Sequence, residues 1–246
     1  MCARQAERLT DRPDAAEAPP TTWEDDMRIF VIGAAGGVGR RLTAFLTESG
    51  DRVSGMHRRP EQASDIRAAG GSPVAGGLVA DSVSELAGRV RGHDAIVFSA
   101  GAHGTGISQT TAIDGDGLEK AARAAVEAGV RRFVLVSAMP EAGRGGQPVE
   151  RFEHYMAVKK RADAFLVTTP LDWLIVRPGT LTDSAGTGAV RAGLALVYGA
   201  VSRDNVAAFL AAALHAPRLS RAIVELTDGP TPVAQAVQHV VRTMGR

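Results

Sequence analysis

Apolar positions along this chain switch repeatedly between short unbroken runs and a helical spacing. The runs at Arg28–Ile32, Arg52–His57, 94–99, 132–137, 172–176 and 222–227 are compact and mostly rich in β-branched and other apolar residues. Such runs mark strands buried on both faces. A weaker strand is expected at Ser72–Ala75. Between them, the apolar residues recur every three or four positions. The spacing predicts a helix over Gly37–Glu48 with Val38, Leu42 and Phe45 on one face. A short helix over 60–69 opens with Pro60 in its first turn, and another begins near Ser82. A helix over 114–128 aligns Leu118, Ala121, Ala122, Ala125 and Val126, and Gly129 stops it. The segment 149–168 contains a long helix that turns Val158, Ala162, Phe165 and Leu166 inward. Ser202 can cap a helix over 203–216, and Val233–Met244 forms the last one.

Strands alternating with helices in this way predict an α/β fold: a doubly wound, Rossmann-like parallel sheet in a single domain. Ligands in such folds bind at the carboxyl ends of the strands. The domain is expected to span 27–246, with a small substrate-binding part toward its C-terminal end. Residues 1–26 read differently. They are polar and acidic, contain Pro13, Pro19 and Pro20, and show no apolar period. They are expected to be a disordered or loosely packed tail, and Met27, directly before the first strand, is a candidate start.

Composition narrows the partners. With 246 residues and a net charge of +1, the chain has no basic excess for nucleic acid and no acidic excess. No apolar run approaches the ~18 residues of a membrane span. The one cysteine, Cys2, cannot form an internal disulfide, so a cytoplasmic location is expected. Only Lys120, Lys159 and Lys160 are lysines in a chain that otherwise uses arginine.

The richest chemistry follows the first strand. Gly33, Ala35, Gly36, Gly37, Val38 and Gly39 belong to a glycine loop that runs directly into a helix. A helix N-terminus offers unpaired N–H groups to a phosphate. Gly33 permits the tight turn, Gly36 the approach of a pyrophosphate, and Gly39 close helix–strand packing. A dinucleotide is therefore the expected ligand. After the second strand stand Arg58 and Arg59, where an acidic residue would select NAD(H). Their guanidinium groups suit a 2′-phosphate, so NADP(H) is favoured over NAD(H); the alternative is a solvated arginine pair. Ser99, Ala100 and Gly101 end the fourth strand beside the expected adenosine ribose, and Gly104-Thr105-Gly106 continues that loop. Pro178 and Gly179, within Arg177-Pro-Gly-Thr-Leu181, are expected to border the nicotinamide.

Tyr155 and Lys159 share a helix face at i and i+4. A nearby ammonium favours a phenolate, so the pair suits proton transfer to or from a carbonyl substrate. Two solvated side chains at chance spacing are the alternative. His103 and His154 are weaker candidates near the cleft. No cluster has metal-ligand spacing, and no G-x-S-x-G elbow is present. A small molecule is the expected substrate, its pocket built from 182–201 and the loop 138–148.

Together, Gly33-x-x-Gly36-x-x-Gly39, His57-Arg-Arg-Pro60, Phe98-Ser-Ala-Gly101, Arg132-Phe-Val-Leu-Val-Ser137, Tyr155-x-x-x-Lys159, Arg177-Pro-Gly-Thr-Leu-Thr-Asp183 and Ser202-Arg-Asp-x-Val206 resemble the short-chain dehydrogenase/reductase superfamily. The resemblance is to its atypical, epimerase/dehydratase-related branch, from Met27 nearly to the C-terminus. It implies a catalytic set of Ser137, Tyr155 and Lys159, with Lys159 also holding the cofactor ribose. Asp114 stands where the usual asparagine would be, although it is equally placed to cap a helix. Two departures stand out: Ala138 occupies the alternative serine position, and Gly77 stands where relatives often carry an aspartate. The resemblance implies an NADP(H)-dependent oxidoreductase acting on a small carbonyl or alcohol. Its alternatives are an epimerase or dehydratase that retains its cofactor, and a non-catalytic NADP(H) sensor.

Overall fold

The computed structural model describes residues 26–102, 105–143, 147 and 149–245. The expectations for residues 1–25 and for His103, Gly104 and Pro148 lie outside them. Strands β1 (Arg28–Ile32), β2 (Arg52–His57), β3 (Ser72–Ala75), β4 (Ala95–Phe98), β5 (Arg132–Val136) and β6 (Asp172–Pro178) are joined by helices. These are α1 (Gly37–Glu48), α2 (Gln62–Ala68), α3 (Val83–Val90), α4 (Ile107–Thr110), α5 (Gly117–Ala128) and α6 (Glu150–Val167). Beyond them come β7 (Thr180–Thr182), β8 (Ala189–Gly193), β9 (Ala200–Ser202), α7 (Arg203–Leu214), β10 (Ala222–Asp228), β11 (Thr231–Pro232) and α8 (Val233–Met244).

The main sheet runs β11-β8-β10-β6-β5-β4-β1-β2-β3, and β7 pairs with β9 apart from it. It is parallel except at β8, which lies antiparallel to β10 and β11. The order reverses at β1, between β4 and β2, so a crevice opens at their carboxyl ends.

Alternation along the strands builds a core on each face. Ile29 and Val31 pack with Val38, Leu42 and Leu46 of α1 and with α7 and α8. Phe30 and Ile32 point the other way, into Leu86, Leu118, Ala122 and Leu166 of α3, α5 and α6. No helix among the described residues is long and apolar enough to cross a membrane.

The structure corrects several details of the sequence pattern. Phe45 and Val126 are exposed rather than inward; the buried stripe of α1 is Val38, Gly39, Leu42, Thr43 and Leu46. The second helix starts at Gln62, after a turn containing Pro60. The fourth strand is shorter, leaving Ser99 outside it. The largest difference is at Asp114. The helix expected from that point is already under way at Ile107, and α4 and α5 are joined by a π-helical segment, Thr111–Asp116. Asp114 is therefore inside a helix and is not an N-cap. Two caps hold as expected: Ser202 accepts from Asn205 N–H at 3.1 Å, and Gly129 ends α5 with φ 76°.

Candidate functional site

At the crevice, β1 passes into the glycine turn. Gly33 has φ +91°, and a Cβ there would lie 2.5 Å from the backbone nitrogen of Ala100, so the position demands glycine. A Cβ on Gly39 would collide with the Gly33 carbonyl oxygen. Replacing Gly39 by valine forces the start of α1 away from β1. The expected result is a loss of about 1–3 kcal/mol in thermal denaturation, together with lost enhancement of NADPH fluorescence; an unchanged melting curve and titration would refute the packing argument. The N-cap of α1, Gly36, makes no side-chain capping bond, and the first turn carries no acidic residue. Its N–H donors are thus left for an anionic group.

A cavity of about 540 Å³ opens from this loop. The structure brings Gly37, Val38, Ser99, Ala100, Gly101, Asp114, Ser137, Tyr155 and Lys159 to its wall. Gly33, Ala35, Gly36 and Gly39 form the adjoining turn and helix start. Ser99 Oγ donates to the Ile32 carbonyl at 3.2 Å, tying the ends of β4 and β1 together. Four positions fall elsewhere. Arg58 and Arg59 lie exposed just beyond β2, with Arg59 3.0 Å from Glu61. Pro178 ends β6 beside Leu226, and Gly179 packs against the Gly199 carbonyl, where no Cβ would fit. Of that expected nicotinamide border, Leu181 reaches the cavity.

Within the cavity, the π segment swings Asp114 toward α6. Its Oδ2 accepts the Ala102 N–H at 2.9 Å. Its Oδ1 lies 3.0 Å from Lys159 Nζ, and these side chains are 0% and 6% exposed. Oδ1 has no well-aligned hydrogen bond, so the contact is chiefly ionic. Lys159 also donates to the Val136 carbonyl at 3.2 Å and sits 5.7 Å from the centroid of the Tyr155 ring. π segments concentrate at functional sites because they redirect a side chain without ending the helix.

Burial pushes the Tyr155 phenol above the ordinary tyrosine range; Lys159 pulls it down, while Asp114 and Asp163 push it up. The expected net lowering by Lys159 is therefore overturned by desolvation. Lys159 itself would be lowered by burial, but Tyr155, Asp114 and Asp163 raise it above 10.5.

Sequence reasoning missed a second buried group behind the first. Asp163, one turn beyond Lys159 on α6, receives Arg177 through Nε and one terminal nitrogen, each at 2.9 Å. Burial raises the Asp163 carboxyl, against the pull of Ser137 and Arg177. Ser137 Oγ is buried beside it with no well-aligned partner. The signal for Asp163 was present, an acid inside the apolar stripe Val158, Ala162 and Leu166. Arg203 was also missed as a site residue. It lines the cavity, lies over Gly37 and pairs with Asp183 at 3.0 Å. Val149, Phe152, Val136 and Leu181 supply an apolar wall. His154 bonds Thr111 at 2.8 Å and is held within the helix packing. The Gly77 N–H meets the Asp81 carboxylate at 3.0 Å, so an acid four residues later occupies that turn.

Residues 33–217 match the NAD(P)H-binding family. The uncharacterized sugar epimerase YhfK of Bacillus subtilis (strain 168) is 38% identical over 216 residues, spanning 87% of this chain and all of that one. A Bacillus halodurans protein assigned by inference as an NAD-dependent epimerase/dehydratase superposes with a TM-score of 0.79 at 31% identity, covering 87% of this chain and 100% of its own. ChuY, an anaerobilin reductase from Escherichia coli O157:H7, superposes at 0.68 with 25% identity, covering 83% and 100%. With its switch-point glycine loop and these relatives, the chain belongs to the NAD(P)H-binding family and is similar to epimerase-like proteins within it.

Proposed function

We propose that this protein is an NADP(H)-dependent oxidoreductase that acts on a small organic carbonyl or the corresponding alcohol. The observation that carries the reading is the meeting of Tyr155 and Lys159 with the glycine loop on one cavity wall. The loop fits a dinucleotide: its turn admits no side chain at Gly33 or Gly39, and the first turn of α1 has no competing carboxylate. Gly37 and Val38 would present N–H groups to the pyrophosphate, with Arg203 above Gly37 as a charged partner, while the Gly36 N–H closes the turn on the Gly33 carbonyl at 2.9 Å. Ser99, Ala100 and Gly101 would flank the adenosine ribose. A bound nicotinamide supplies or takes up hydride; the protein's share is to orient the acceptor and move a proton. Tyr155 Oη holds that proton. Lys159, fixed by Asp114, faces the tyrosine ring and would hold the cofactor ribose. Ser137 reaches the wall, but its hydroxyl is turned toward Asp163, so it supports the site from behind.

The preference for NADP(H) rests on Arg58, exposed just past β2, because Arg59 already has Glu61. Arg58→Ala is expected to weaken NADPH about tenfold or more while leaving NADH unchanged, in line with loss of a charge-assisted phosphate bond. Fluorescence titration with both cofactors checks this, and an unaltered NADPH/NADH ratio would reject the assignment.

The likeness to YhfK favours a second reading, an epimerase that keeps its nicotinamide and uses hydride transiently. Gel filtration separates the two. Nicotinamide absorbance that stays with the purified protein supports the epimerase or a non-catalytic sensor. Exchangeable NADPH, consumed with quinones, aldehydes or ketones, supports the reductase.

A further inference from the structure

The ionic groups behind Tyr155 are balanced. Lys159 and Arg177 supply two positive charges, and Asp114 and Asp163 two negative ones, all on residues at least largely buried. Lys159 faces Tyr155, yet its ammonium is held at 3.0 Å by a carboxylate with no exposure to solvent. Asp163 lies on the same helix, with its second oxygen buried and without a well-aligned partner. Other charged or titratable groups near the phenol are Arg151 and His154 on α6 and Arg203 on α7. His154 is tied to Thr111 and Arg203 to Asp183. A lone buried ammonium would draw a phenol toward its anion; here burial disfavours that anion, and the carboxylates of Asp114 and Asp163 offset the pull of the Lys159 ammonium.

We infer that Asp114 and Asp163 keep Tyr155 as a proton donor, so that the site serves an electrophilic acceptor, a carbonyl, rather than an alcohol. This rests on the oxidoreductase reading and adds a direction to it. Reduction of a carbonyl requires hydride at carbon, from a reduced nicotinamide, and a proton at oxygen. The Tyr155 O–H bond breaks, the new O–H bond forms on the substrate, and the phenolate regains its proton from solvent. Oxidation of an alcohol would need the phenolate at the outset, a state these two carboxylates disfavour. Asp114 and Asp163 act through Lys159 and Tyr155 and are positioning residues.

The chain has only two tyrosines, Tyr155 and Tyr198, so the phenol can be followed directly. Tyrosinate absorbance is recorded against pH in the cofactor-free protein, and the Tyr155→Phe titration is subtracted. The Tyr155 midpoint is expected above the ordinary value of ~10, or beyond the alkaline unfolding edge if that edge lies above it. Asp114→Asn is expected to move it down by about one unit or more. Asp163→Asn, should the first variant not fold, is expected to move it the same way, and a downward shift in either supports the inference. A wild-type midpoint below ~10, or no downward shift in any folded Asn variant, overturns it. The measurement needs neither cofactor nor substrate. Failure of NADPH binding would instead count against the oxidoreductase reading, and the two failures are distinguishable.

Discussion

Tyr155→Phe is expected to lower NADPH-dependent carbonyl reduction by about 10²–10⁴-fold, the usual contribution of a positioned proton donor. NADPH binding should be nearly unchanged. The phenol hydroxyl is what the substitution removes; the ring, which packs near Phe152 at a centroid distance of 6.0 Å, is retained. The glycine turn lies on other elements and does not depend on it. The decisive measurement pairs NADPH fluorescence titration with turnover on a panel of quinones, aldehydes and ketones. Loss of turnover with intact binding identifies the hydroxyl as the reacting group. Equal turnover in the two proteins would remove Tyr155 from the chemistry and leave the cavity as a binding site. The alternative of a non-catalytic sensor predicts no turnover in either protein and retained binding in both.

The reductive direction also sets the shape of the pH profile. Tyr155 must be protonated to act, and burial holds its phenol above the ordinary range, opposed by Lys159 and supported by Asp114 and Asp163. Carbonyl reduction should therefore show no loss attributable to Tyr155 across neutral pH and should decline only at alkaline pH.

The parts of this site that could be read from the chain are those encoded by local pattern. The glycine spacing, the apolar run before it and the helix after it are contiguous, and together they specify the switch-point loop. Tyr155 and Lys159 are one helical turn apart, so their shared face is also local information. What escaped was set by distant pairing or by a break in period. Arg177 meets Asp163 only because β6 lies beneath α6, a contact fixed by the order of strands β4, β5 and β6. Asp114 reads as the start of a helix when a period of 3.6 is assumed. The π segment Thr111–Asp116 breaks that period and turns the same residue into the partner of Lys159. Phe45 was placed inward by the same regular counting, although Leu46 occupies the core. Short β7, β8, β9 and β11 have little pattern of their own. They are specified by their partners, as β8 is by β10 through the Glu225–Gly193 to Asp228–Val190 register.

Lys159→Met is expected to destabilise the protein by about 3–5 kcal/mol, because it leaves the Asp114 carboxylate buried without a counter-ion. For a chain of this size that corresponds to a fall of about 10 °C in melting temperature. Among the described residues, Asp114 is held by the Ala102 N–H and the lysine, with no solvent exposure of its side chain to relieve it. The double variant Lys159→Met, Asp114→Leu should recover much of the loss, since two apolar groups replace an ion pair whose desolvation costs about what its attraction returns. The pH dependence separates this from simple loss of packing. Lys159 has its folded value raised above the ordinary 10.5; burial opposes the shift, while Tyr155, Asp114 and Asp163 produce it. The stability it contributes is therefore fully present below the unfolded value and is lost as pH rises through the folded one. Wild-type protein should lose that increment at alkaline pH, and the double variant should not. Thermal denaturation of all three proteins at neutral and alkaline pH tests the assignment. A single variant as stable as wild type at neutral pH would mean that Asp114 finds solvent or another partner, and the ionic lock between the π segment and α6 would be wrong.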